Sequence, residues 1–203
     1  MCFSGIFHLD QLDIATDIDY VATVYLSRPL IVLLYVLCMY YCTIIIIIII
    51  IHRALIRAEI PSVREPSGLS RDDGKRSDGL TLVPWQSGRS ATWDVTVVHT
   101  LAASYVSQSA VQAGSAATAA SVRKSAKYSS LSSSHVFCPV AVETLGPLAD
   151  DAQLFLTQIG RRATLRTADP RETIFLYQRI SAAIQCVNAV CLTNSLTVSE
   201  SPL

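Results

Sequence analysis

Ala91-Thr92-Trp93-Asp94-Val95-Thr96-Val97-Val98 is rich in β-branched side chains and predicts a strand. Its period of two puts Trp93, Val95 and Val97 on one face, and Thr92, Asp94, Thr96 and Val98 on the other. Just upstream, residues 80–83 read as a second strand. Pro84 to Gly88, with Trp85 inside, reads as the turn that folds the two into a hairpin. Downstream, residues 107–128 are rich in Ala and Ser and permit a helix, with Arg123, Lys124 and Lys127 in its last turns, where cations complement the helix dipole. Residues 136–142 form another strand pattern. Pro139 interrupts it, which predicts an edge or bulged strand.

Two helices follow. Leu148, Ala152, Phe155 and Ile159 recur at helical spacing. Asp169-Pro170-Arg171-Glu172 then predicts an N-cap, a proline at the first helical position and a reciprocal glutamate. Phe175, Leu176, Ile180, Ala183, Ile184 and Val187 would be the buried stripe of that last helix. Residues 54–78 read as a short helix or loop leading into the first strand, and residues 194–203 as a disordered tail. The order predicts an α/β fold, a small mixed sheet flanked by helices, over residues 54–193.

The 203 residues suit one modest domain with an appendage. A hydrophobic share of 51% against 16% charged excludes a disordered, solvating chain. The zero net charge divides into −3 over residues 1–52 and +3 over residues 53–203. Six cysteines contain no CxxC pair and no zinc-finger spacing, so free thiols in a reducing compartment are expected.

Much of the hydrophobicity is piled into residues 29–51, which are uncharged and end in eight consecutive isoleucines, Ile44 to Ile51. As a helix this stretch would be about 34 Å long at 1.5 Å per residue, enough for the roughly 30 Å core of a bilayer. Residues 1–28 form an acidic N-terminal segment, and His52, Arg53 and Arg57 close the run. The positive-inside rule then predicts a single-pass membrane protein with its C-terminal domain in the cytoplasm. A signal peptide is a poorer fit, because four aspartates and no basic n-region precede the run. A repeat-derived accident of gene structure is the other reading, and outside a bilayer such a run is prone to aggregate.

Asp78 and Asp94 are the candidate functional residues. If residues 78–83 and 91–98 pair as a hairpin, the two carboxylates converge at one end of the sheet. Carboxylates and a backbone carbonyl are hard oxygen ligands suited to Mg²⁺, which keeps waters for substrate phosphates. A charged aspartate in mid-strand costs stability unless something pairs with it. The alternative is a hydrogen-bonded or solvent-facing aspartate on an open sheet face.

Four segments together resemble a known block. They are Asp-Gly-Lys-Arg-Ser-Asp-Gly-Leu-Thr-Leu-Val-Pro-Trp (73–85), Trp-Asp-Val-Thr-Val (93–97), Lys-Ser-Ala-Lys-Tyr (124–128) and Val-Glu-Thr-Leu-Gly-Pro (142–147). The block is similar to the restriction-like endonuclease domain, of PD-(D/E)xK type, found at the C-terminal end of non-LTR retrotransposon reverse transcriptases. The resemblance covers residues 54–193 and implies a fragment of such an element. It implies that Asp78 and Asp94 hold a catalytic Mg²⁺. Ser77 stands where the proline of the PD motif is expected, and Thr96 where its lysine is expected. A lysine on the following helix replaces the missing one in the retrotransposon branch, and Lys127 matches it. Arg123 and Lys124 would contact the DNA backbone. Glu65 and Glu143 are available as further acids but are weaker candidates.

The resulting expectation is a Mg²⁺-dependent DNA-nicking domain carried behind a membrane helix. The rival is a single-pass membrane protein whose soluble body is degenerate and non-catalytic. The sequence holds no nucleophile elbow, HExxH or phosphate-binding GxxxxGK loop.

Overall fold

The computed structural model describes residues 28–67 and 76–197, with side chains from Tyr40 to Thr193. The acidic segment to residue 27, the Asp73–Lys75 part of the first motif and residues 198–203 lie outside the described residues. The elements are α1 (Arg28–Arg57), β1 (Ser62–Arg64), β2 (Gly79–Thr81), β3 (Ala91–Val98), α2 (Val106–Ser109), α3 (Ser115–Lys127), a 3-10 turn (Ser129–Leu131), β4 (Val136–Glu143), α4 (Asp150–Thr167) and α5 (Glu172–Thr197). The fold is mixed α/β, with a four-stranded sheet between helices.

The strands lie in the order β1-β2-β3-β4. β1, β2 and β3 form an antiparallel meander, and β4 runs parallel to β3 over its whole length. The β2–β3 hairpin and its turn follow the sequence pattern. Strand β1 does not: three residues give too short a run to show an alternation. Pro139 sits on β4, an edge strand of the sheet, where a missing N–H costs no ladder bond on the open side.

The alternation in β3 separates two layers. Trp93, Val95 and Val97 are buried against α1, α4 and α5, in one core with Phe155, Leu156, Ile159, Leu176, Ile180 and Ile184. Trp93 lies 5.9 Å from the Phe155 ring, and Trp85 lies 5.2 Å from it. Gly79 makes room for the Trp93 indole, since a Cβ there would fall 2.0 Å from the ring. Gly160 likewise lets α4 close on α5, where a Cβ would meet Thr173 Oγ1 at 2.4 Å. Beneath α3, on the opposite face, a smaller cluster contains Val98, Ala116, Ala117, Ala120, Ala141 and Ala149.

The isoleucine run is the main departure from the sequence reading. Ile47, Ile51, Ala54, Leu55 and Ala58 recur at helical spacing and are buried in the principal core. The domain boundary expected at residue 54 therefore falls inside α1, because the second half of this helix forms one wall of the α/β core. The Tyr40 hydroxyl bonds the Val97 carbonyl, and Arg57 pairs with the buried Glu172, so both ends of this half are tied down. By length and hydropathy, the stretches Tyr40–Arg57 of α1 and Glu172–Thr193 of α5 are each able to cross a membrane, which is weak support for membrane association.

Two smaller expectations also change. Glu172 pairs with Arg57 rather than completing a capping box, and the Asp169 carboxylate accepts the Arg171 backbone N–H at 2.9 Å. Helix α5 continues to Thr197, past the tail boundary expected at residue 194. Leu176, Ile180 and Ile184 are its buried apolar positions, while Phe175, Ala183 and Val187 are half-buried.

Candidate active site

Strand pairing builds the site. Gly79 is opposite Trp93 in the antiparallel β2–β3 register, so Asp78, one residue earlier, comes level with Asp94. Asp78 Oδ2 accepts the Val95 backbone N–H at 2.6 Å, which fixes the carboxylate against β3. Burial and the neighbouring Asp94 charge raise the Asp78 pKa to about 6, against the lowering effects of the Val95 bond and Lys124. Ser77, where the motif would have proline, is fully buried, and its hydroxyl accepts a bond from Thr92 Oγ1 at 2.8 Å.

Asp94 is 5% exposed and is not left bare. The Lys124 ammonium binds its Oδ2. The Tyr128 hydroxyl lies 3.1 Å from its Oδ1 and 3.2 Å from the Arg76 carbonyl, with one proton to share between the two acceptors. Tyr128 is itself buried and stacks on Phe137 at 4.4 Å. The stability problem raised by a mid-strand aspartate is thus met by an ion pair and a phenol.

Of the three basic residues at the end of α3, only Lys124 reaches the acids. Lys127, expected in that role, is exposed on another side of the helix. Arg123 lies over the Tyr105 ring at 5.4 Å and bonds its hydroxyl. Helical spacing did not separate the two lysines, because Lys124 and Lys127 both fall within about a turn of the buried Ala117, Ala120 and Ser121. Tyr128 was quoted in the motif but given no role.

Glu143 belongs elsewhere. It is 1% exposed at the end of β4, and its Oε1 accepts the Ala116 and Ala117 N–H groups at 3.0 and 3.3 Å. It caps α3, where a carboxylate complements the helix N-terminus. Glu65 is exposed beside the Asp78 end of the site, and its backbone N–H bonds the Asp78 carbonyl at 3.0 Å. Thr96, at the position of the expected motif lysine, carries a buried hydroxyl without a hydrogen-bond partner.

Among the described residues no group of three or more His, Cys, Asp or Glu is placed to hold a metal. Asp78, just before β2, and Asp94, on β3, supply hard carboxylate oxygen donors. That donor set fits Mg²⁺ bound through one or two carboxylates with waters and a substrate phosphate, and does not make a closed protein cage. In the structure the Lys124 ammonium neutralises Asp94.

No family model, curated protein or solved structure matches the chain.

Proposed function

We propose that this chain is a Mg²⁺-dependent DNA endonuclease body of the restriction-like class, derived from a non-LTR retrotransposon. The observation that carries the reading is the convergence of Asp78, Asp94 and Lys124 at one end of the β2–β3 hairpin. A raised Asp78 pKa beside a second carboxylate supports it, since such a pair gains from a shared cation. The mixed sheet flanked by helices is also the architecture that the resemblance implies.

In this reading Asp78 and Asp94 hold the ion. The ion would supply Lewis-acid polarisation of a phosphoryl oxygen. The Lys124 ammonium, held beside Asp94, would steady the scissile phosphate or the attacking water. Tyr128 keeps the Asp94 carboxylate oriented. Arg123 and the exposed Lys127 contact the DNA backbone, which positions the duplex without reading its sequence.

The test is nicking of supercoiled plasmid by the full chain with Mg²⁺ or Mn²⁺. Chelator should silence it, and Asp94→Ala should abolish it while the folded signal remains. Equal activity of the wild type and Asp94→Ala would assign the nicking to a contaminant and end the proposal.

A second reading is a membrane-bound body without catalysis, single-pass over residues 29–51 with its C-terminal side in the cytoplasm. The length and hydropathy of α1 favour it. The burial of Ile47 and Ile51 in the α/β core weighs against it, because that span would draw both into lipid. Carbonate extraction separates the cases. A chain that stays in the membrane pellet, and lacks nicking activity when folded, is the second protein and not the first.

A further inference from the structure

An open groove of about 580 Å³ runs between α1 and β1 and ends at Asp78. One wall is apolar, from Ile45, Ile48 and Ile49 on α1. The other wall changes polarity along its length. At the far end His52 Nδ1 and Ser62 Oγ lie 2.9 Å apart, which ties the imidazole to β1. Arg64 comes next, exposed on the edge strand, and Glu65 and Asp78 close the near end.

We propose that this groove takes the sugar–phosphate backbone of one DNA strand, with Arg64 as its phosphate contact. The inference rests on the endonuclease reading of Asp78 and Asp94, and it names where their substrate lies. A strand whose scissile phosphate is shared with a cation at Asp78 presents its neighbouring phosphates along β1. The first cation on that path is the Arg64 guanidinium, whose fork of donors suits phosphate oxygens.

The dimensions agree. From Ser62 to Arg64 the extended strand covers about 7 Å at roughly 3.3 Å per residue. A DNA strand rises about 3.4 Å per nucleotide along its axis. The groove therefore follows more than one nucleotide step, and the isoleucine wall offers an apolar surface to the sugars. β1 is an edge strand, and no further strand among the described residues covers this path.

The experiment measures the binding of a fluorescein-labelled DNA duplex to the full chain by anisotropy, from 50 to 200 mM NaCl, alongside Mn²⁺ binding by calorimetry. Arg64→Ala should weaken duplex binding about ten-fold and reduce the salt slope by about one, as for one lost phosphate contact. Mn²⁺ affinity should not change. Arg64→Lys should keep most of the slope, and Arg179→Ala, exposed on α5 away from the groove, should bind as wild type. Wild-type binding by Arg64→Ala, an equal loss in Arg179→Ala, or no DNA binding by the wild type would each overturn the proposal. Nicking and Mn²⁺ binding that survive beside an unaffected Arg64→Ala would discard the groove and leave the endonuclease reading in place. DNA binding that depends on Arg64 in a chain without Mn²⁺ affinity would do the reverse.

Discussion

The two faces of strand β3 differ in kind. On one face Trp93, Val95 and Val97 meet aromatic and branched side chains from three helices, including the isoleucines of α1. On the other face Asp94 and Thr96 meet a single helix whose buried residues are mainly alanine, and the small cluster there leaves space for polar groups. Large apolar area is concentrated on the first face, which holds most of the hydrophobic stabilisation. The second face buries charge and hydroxyl groups that contribute little to stability and would be costly without partners. Chemistry is therefore expected on the face that the fold can least use for packing.

The largest effect should come from the apolar face. Trp93→Ala removes a fully buried indole packed on Phe155, and should cost about 3–5 kcal/mol in chemical denaturation. A loss below about 1 kcal/mol would mean that the core is not organised around this residue.

On the polar face the leading effect should be one of pH. Burial raises the Asp78 pKa from the ordinary 3.8 to about 6 in the folded chain, so between these values the folded state keeps a proton that the unfolded state has released. Stability should be highest below about pH 4 as far as this group is concerned, and should fall as pH rises through about 6. The total is on the order of 3 kcal/mol for roughly two pKa units. Asp78→Asn should flatten this fall, and so should millimolar Mg²⁺ if the ion binds there. Thermal melts between pH 4 and 7.5 read both. A wild-type profile identical to that of Asp78→Asn would remove the buried carboxylate from the account.

Smaller effects on stability distinguish the lysines. Lys124→Ala should cost about 1–3 kcal/mol, because it leaves the buried Asp94 with Tyr128 as its remaining side-chain partner, and it should lower nicking by roughly 100-fold. Lys127→Ala, at an exposed position, should stay within about 0.5 kcal/mol of wild type, with a rate change of a few-fold at most. The opposite ranking in a nicking assay would return the catalytic position to Lys127 and detach the polar face from the chemistry proposed for it.

Much of the architecture was legible locally. The alternation in residues 91–98, the turn at Trp85, the edge character announced by Pro139 and the periodicity from Leu148 to Ile159 all concern neighbours a few residues apart, and each appears where the pattern puts it. Such features follow from backbone periods and turn chemistry, which a short window contains. The isoleucine run shows the limit. Twenty-three uncharged residues suit a bilayer or a buried helix equally well by composition, and only the sheet and the two C-terminal helices across the core determine that Ile47, Ile51 and Leu55 are core residues.

The same division applies to the site. By itself the sequence determined that Asp94 lies on the polar face of a strand, and that Asp78 precedes a strand able to pair with it. Tertiary structure alone decided that the two carboxylates are level, that Lys124 rather than Lys127 meets Asp94, and that Glu143 caps a helix instead of joining the acids. The physical reason is range. A strand's faces are set by alternation along the chain, whereas the partner of a buried charge is set by which distant segment packs over it. Asp94 and Lys124 are thirty residues apart, and only the placement of α3 across β3 brings the ammonium to the carboxylate.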